Sequence, residues 1–301
     1  MTLQMELPTA DDYPTRKAPE PALLYRRDPV VWPGAADGPF TDDELDGYNA
    51  RGYTRVASLV TPVEVESYRA ELKRLSSDPA LRADERVVVE PDSDQVRSVF
   101  EVHRLSRIFH DLVYDRRLVD RARQILGSDV YVHQSRVNYK PGFGGGSFYW
   151  HSDFETWHAE DGMPRMRAVS FSVALTDNYT HNGALMIMPG SHRTFVSCLG
   201  RTPDDHHRSS LKSQHVGTPD QASLNLLADR HGIDVLTGSA GDVTVFDSNC
   251  MHGSGGNITP YPRSNVFVVF NSVDNACAKP FSANRARPEF LAARETAPVR
   301  L

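Results

Sequence analysis

The sequence predicts a mainly β protein with supporting helices, in which a helical layer backs a β-barrel or sandwich. Three observations carry that expectation. Apolar residues recur at helical spacing in segments up to residue 127. From residue 129 the period changes, and short β-branched or aromatic runs follow one another with turn residues between them. Helices first and many short strands afterwards is the order of a helical layer supporting a barrel or sandwich.

The elements follow in chain order. Residues 1–40 are rich in proline and charge and lack periodicity, so they read as an arm with little structure of its own, laid on the domain surface. Residues 41–301 read as a single domain, with helical support over 41–127 and a β-barrel core over 129–275. "TDDELDGYNARGYTRVASLV" is a short helix running into a strand, with Gly52 as the stop between them. In "TPVEVESYRAELKRL", Thr61 and Glu64 have capping-box spacing, and Val65, Tyr68, Leu72 and Leu75 fall at helical period. "HRLSRIFHDLVYDRRLVDRARQILG" gives two more helical pieces closed by Gly127. The strand candidates are "DVYVHQSRVNYKPG", "MRAVSFSVALTD", "NGALMIMPGSH", "DVTVFDSN" and "RSNVFVVFNSV". Residues 194–232, with "TPDDHHRSSLKSQH", interrupt this series as a polar insertion, the kind that serves as a lid or mobile loop.

Bulk composition narrows the function classes. Across 301 residues, 40% hydrophobic and 24% charged content describe an ordinary soluble globular protein with an ample core. A net charge of -6 argues against nucleic acid or an anionic membrane as the main partner. No run approaches the ~18 apolar residues of a membrane span, and the opening residues show no basic-then-apolar secretory pattern. Three cysteines (Cys198, Cys250, Cys277) without CxxC spacing fit a reducing compartment, so a cytoplasmic location is expected.

The chemistry concentrates in "FYWHSDFETWHAEDGMP", residues 148–164. In an extended strand, residues two apart share a face, so His151 and Asp153 would project together. That is two thirds of a facial 2-His-1-carboxylate set, which holds non-haem Fe(II) with positions left open. The third ligand is expected on a distant strand, and His252 in "DVTVFDSNCMHGSGGN" follows a clear strand among small residues. HxD alone is a short pattern that a chain with twelve histidines produces by chance. Arg263 shifts the balance: it opens the strand "RSNVFVVF" eleven residues beyond His252, where it can form a bidentate pair with a dicarboxylate co-substrate.

This order of HxD, distal His and strand-opening Arg resembles the Fe(II)/2-oxoglutarate dioxygenases of the phytanoyl-CoA hydroxylase family, as does "NGALMIMPGSH". The resemblance implies a double-stranded β-helix (jelly-roll, cupin-like) barrel. It also implies Fe(II) on His151, Asp153 and His252, with 2-oxoglutarate and O2 as co-substrates. Arg263 and Lys140 would serve 2-oxoglutarate, with Ser254 adding a hydroxyl and Asn138 on the same strand face as Lys140. Halogenating relatives replace the carboxylate with a small residue, so Asp153 argues for hydroxylation.

The longer stretch "FYWHSDFETWHAEDGMP" is similar to the signature of the ectoine-hydroxylating branch, which makes the compatible solute 5-hydroxyectoine and releases succinate and CO2. That narrower resemblance implies a cationic cyclic amidine carrying a carboxylate as substrate. Trp157, with Phe246 and Phe267 behind it, would face the cation; Gln134 and Thr156 would supply hydrogen bonds, and Arg287 in "RPEF" a carboxylate clamp. For each phenylalanine, ordinary core is the competing reading. A sibling enzyme for another small amino-acid-like substrate, or a non-catalytic ligand-binding barrel, are the rival functions. A homodimer is usual for the resembled enzymes.

The other histidines and acids have plainer expectations. His158, Glu160 and Asp161 read as supporting or lid residues, and His206, His207 and His215 as solvated loop. His133, His181 and His192 read as structural, with His192 placed to brace the metal site, and Cys250 as buried.

Overall fold

The computed structural model describes residues 11–34, 37–90, 95–212 and 216–301. Among them, strands β1 (Ala22–Tyr25), β2 (Tyr53–Val56), β3 (Val87–Val89), β4 (Val96–Phe100), β5 (Val130–Lys140), β6 (Phe148–His151) and β7 (Ala168–Ala174) come first. They are followed by β8 (Leu185–Ile187), β9 (Thr194–Ser197), β10 (Asp234–Leu236), β11 (Val243–Asp247), β12 (His252–Ser254) and β13 (Arg263–Ser272). A seven-stranded sheet runs β2-β11-β7-β13-β5-β4-β3 and a four-stranded sheet runs β10-β8-β12-β6; these antiparallel sheets build the double-stranded β-helix.

Local chemistry sets the helices as expected. Thr61 and Glu64 close the expected capping box at the start of Pro62–Ser77, and Thr41 and Glu44 close a second, unanticipated one at Asp42–Arg51. Gly52 (φ 78°) and Gly127 (φ 60°) end their helices in the left-handed conformation that glycine adopts at least cost.

One side of the seven-stranded sheet carries the helices. Val266, Val268 and Phe270 of β13 and Val137 of β5 join Leu72, Phe109, Leu118 and Ile125 in one apolar cluster. The alternate residues Arg263, Asn265 and Phe267, with Lys140, Asn138 and Arg136 opposite on β5, therefore point to the other side. A β-bulge resets this alternation: Val269 and Phe270 stand opposite Gln134 and Val132, leaving His133 unpaired in the ladder.

Three features differ from the sequence reading. Strands β3 and β4, not anticipated, extend the large sheet beyond β5. The arm is more structured than expected: β1 pairs with β9, Tyr13 is fully buried and Arg16 nearly so. The insertion supplies β9 for that pairing and the helix Gln221–His231, capped by Asp220. The polar run between them, 201–214, drew the reading of the whole insertion and hid the apolar Phe195, Val196, Leu224 and Leu227 on which these elements pack.

Candidate active site

His151 and His252 are cross-strand partners where β6 meets β12, their rings 4.3 Å apart. Asp153 reaches them by a route the sequence did not suggest. The strand stops at His151, Ser152 caps a short helix Asp153–Thr156, and Asp153 turns inward as its first residue. The turn is fixed from the β11–β12 connection: Phe154 donates its backbone N–H to Ser248 O at 2.9 Å, and Ser152 Oγ donates to Asn249 Oδ1 at 2.9 Å. His151 Nε2 then lies 3.7 Å from Asp153 Oδ1, and His252 Nε2 lies 4.0 Å from Oδ2.

This donor set fits a divalent transition metal. One ligand atom from each residue lies within 4.8 Å of the others. His151 Nδ1 sits 2.7 Å from Tyr149 O and His252 Nδ1 3.0 Å from Cys250 O, so each donates its Nδ1 hydrogen to a carbonyl and keeps Nε2 as a lone pair. Burial, together with His151, pushes the His252 imidazole down to about 4, which keeps it neutral. Burial alone would raise the Asp153 carboxyl, but His252, His151 and Arg136 outweigh it and hold the group ionised, well below the usual range. Two imidazoles and one carboxylate, with no thiolate, match Fe(II) chemistry.

Beside the triad lies a basic recess. Lys140 and Arg263 are register partners and both are buried. Lys140 Nζ donates to Ser254 Oγ at 3.0 Å and Gly255 O at 2.5 Å. Arg263 donates to Asn178 Oδ1, Asn265 Oδ1 and Gly183 O at 3.2, 3.1 and 2.9 Å. All these acceptors are neutral, so two buried basic groups make no hydrogen bond to a carboxylate among the described residues. Asn138 is engaged by Ser98 Oγ at 2.9 Å, which orients its amide on the same strand face.

A cavity of about 750 Å³ opens onto His151 and Asp153. Gln134, Asn138, Thr156, Trp157 and Arg287 line it, as do Leu211 and Gln221 of the insertion. Trp157 stands edge-on to His133 at 5.0 Å. Phe246 and Phe267 do not line the cavity. They belong to a buried cluster behind it, Phe246 packing on the His252 ring at 5.0 Å and Phe267 lying under the Arg136 guanidinium at 4.9 Å.

Arg136 is a cavity residue to which the sequence reading gave no role, although its alternation with Gln134 and Asn138 is the signal that marks it. It hydrogen-bonds Gln134 Oε1. Arg97, on the unanticipated β4, also lines the cavity and holds Glu90 at 2.9 Å. Among the remaining histidines, His206 is buried against Glu160 rather than solvated, and His215 lies outside the described residues. His192 reaches Asn49 O and packs beside Gly52, next to Cys250, which is fully buried.

Residues 48–265 match the family model described as phytanoyl-CoA dioxygenase. The chain belongs to the phytanoyl-CoA dioxygenase family. Within that family it is 60% identical to the ectoine dioxygenase of Streptomyces avermitilis over 292 residues, covering 96% of this chain and 98% of that protein. It also superposes on crystal structures of EctD from S. alaskensis. The structure with bound Fe gives a TM-score of 0.86 at 45% identity, covering 97% of this chain and 98% of that one. The structure with 2-oxoglutarate and 5-hydroxyectoine gives 0.85 at 46%, covering 96% of each. The family membership accounts for the triad: it is a 2-oxoglutarate-dependent dioxygenase with an iron site at His151, Asp153 and His252.

Proposed function

We propose that the protein hydroxylates ectoine to 5-hydroxyectoine with Fe(II), 2-oxoglutarate and O2, releasing succinate and CO2. The observation that carries this reading is the pair of buried basic groups, Lys140 and Arg263, with no carboxylate hydrogen-bonded to them among the described residues, beside the facial triad. A dianionic co-substrate supplies the charge they lack. The near full-length identity to ectoine dioxygenases supports the choice of substrate.

When bound, Fe(II) supplies O2 activation coupled to decarboxylation of the keto acid. The chain's own residues do the rest. His151, Asp153 and His252 would hold the metal. Arg263 and Lys140 bind the far carboxylate of 2-oxoglutarate, with Ser254 and Asn138 beside them. Trp157 offers a π face to the amidinium ring, while Gln134 and Thr156 hydrogen-bond it and Arg287 binds its carboxylate. Phe246 and Phe267 act from behind, as apolar support for His252 and Arg136. Cytoplasmic location and a homodimer complete the reading; gel filtration with light scattering tests the latter.

The test is anaerobic reconstitution with Fe(II) and 2-oxoglutarate, then admission of O2 with and without ectoine. One oxygen gained by ectoine, matched by succinate and absent in His151→Ala, is the expected result. Succinate without ectoine oxidation would keep the dioxygenase and remove the substrate. No succinate at all would leave a small-ligand-binding barrel.

A further inference from the structure

Buried charges that neither metal nor co-substrate uses gather behind Trp157. The π-helical turn Trp157–Asp161 ends in two buried acids, Glu160 and Asp161, with Glu155 on the short helix before it. Arginines from both ends of the chain meet these three carboxylates. Arg16 of the arm pairs with Glu155 and Glu160, and Arg287 and Arg294 of the C-terminal segment pair with Asp161. The cluster therefore balances at three positive and three negative charges.

Arg287 joins this cluster to the cavity, which it lines. Asp161 grips one edge of its guanidinium: Nε lies 3.0 Å from Oδ1 and 3.2 Å from Oδ2, and Nη2 also donates to Oδ2. Nη1 is left without a partner among the described residues. A second acid competes for the same group, since Glu160 Oε2 lies 3.9 Å from Arg287 Nε. Its other oxygen is occupied, by Arg16 Nη1 at 2.6 Å and His206 Nδ1 at 3.0 Å.

We propose that Asp161 is a positioning residue for substrate binding: it fixes Arg287 edge-on so that Nη1 is offered to the substrate carboxylate, while Arg16 and His206 hold Glu160 away from that guanidinium. A forked ion pair locks both the plane and the reach of an arginine. Rotamer freedom lost in that lock is not lost again when ligand binds. The inference rests on the functional reading above, with ectoine as the carboxylate-bearing probe.

The experiment is calorimetric titration of ectoine into the anaerobic Fe(II)·2-oxoglutarate enzyme, for wild type, Asp161→Asn, Arg287→Gln and the double variant, with kcat and KM alongside. Asp161→Asn is expected to raise Kd and KM for ectoine on the order of tenfold, with a smaller fall in kcat at saturation and no change in KM for 2-oxoglutarate. In the Arg287→Gln background it should add nothing further. A wild-type Kd in soluble Asp161→Asn overturns the proposal, as does an equal loss in both backgrounds. If Asp161→Asn fails to fold, Glu160→Gln decides: removing the competing charge should leave ectoine binding unchanged or tighter, and a tenfold weakening overturns the proposal. Failure of the wild-type protein itself to bind ectoine rejects the substrate assignment instead, and is seen before any variant is compared.

Discussion

Lys140 and Arg263 stand directly opposite each other on the β5–β13 ladder, both buried, with neutral oxygens as their only hydrogen-bond acceptors among the described residues. Burial first, then Arg263 and Arg97, push the Lys140 ammonium down to about 6, and burial brings the Arg263 guanidinium down to about 10. Two basic groups share one recess, the guanidinium charged and the amine ready to be charged once an anion enters.

Co-substrate binding should therefore take up a proton. Free Lys140 titrates at about 6, and a bound carboxylate raises that value. Affinity gained through this group is complete below the free value and is lost as pH rises through the raised, bound value. At pH 8, calorimetry in buffers of different ionisation enthalpy should show uptake approaching one proton per 2-oxoglutarate bound. Lys140→Met should abolish it.

The same recess predicts a trade of stability against function. Lys140→Met replaces a buried amine, which burial drives toward its neutral form at a cost in stability, by an apolar chain of similar length, and should stabilise the ligand-free protein by about 1–2 kcal/mol. The 2-oxoglutarate KM should rise about tenfold or more. Urea denaturation and succinate assays check the two halves separately.

Asp153→Asn should abolish Fe(II) binding while the protein stays folded, since the side chain keeps its size and the turn is held by the Phe154 and Ser152 hydrogen bonds to Ser248 and Asn249. Wild type should gain about 2.7 kcal/mol of stability at Fe(II) concentrations a hundredfold above Kd. The variant should gain none. Thermal shift with and without Fe(II) under anaerobic conditions distinguishes them.

Gly52→Ala should cost about 2–4 kcal/mol, because it combines a left-handed backbone with overpacking. A Cβ at this position would lie 2.4 Å from His192 Nδ1 and 2.6 Å from Cys250 Sγ. Cys250 O also fixes the His252 ring, so Fe(II) affinity should fall with stability. Denaturant curves and metal titration on one preparation test the coupling.

How much of this was legible in the sequence depended on how local the signal was. The capping box of Thr61 and Glu64, the stop at Gly52 and the alternation of β5 and β13 are encoded within a few residues, and the folded chain uses them as read. His151, Asp153 and His252 were legible as a set, but the path of Asp153 was not. Its inward turn depends on Ser248 and Asn249, about a hundred residues away. Strands β3 and β4 escaped because each is short and acquires its identity by pairing beside β5. Arg16 and His206 escaped for a stronger reason: polar residues in polar segments signal burial only once their acidic partners are seen.

The two halves of the chemistry are mounted on separate plates. The histidines belong to the four-stranded sheet and the anchors Lys140 and Arg263 to the seven-stranded one, with the Lys140–Ser254 hydrogen bond crossing between them. Coupling of oxidant formation to substrate oxidation is then a mechanical property of the fold. Any sliding of one plate across the other changes the span between anchor and metal before either plate melts. Heating toward the unfolding transition should show up first as wasted 2-oxoglutarate, with the loss of secondary structure following later.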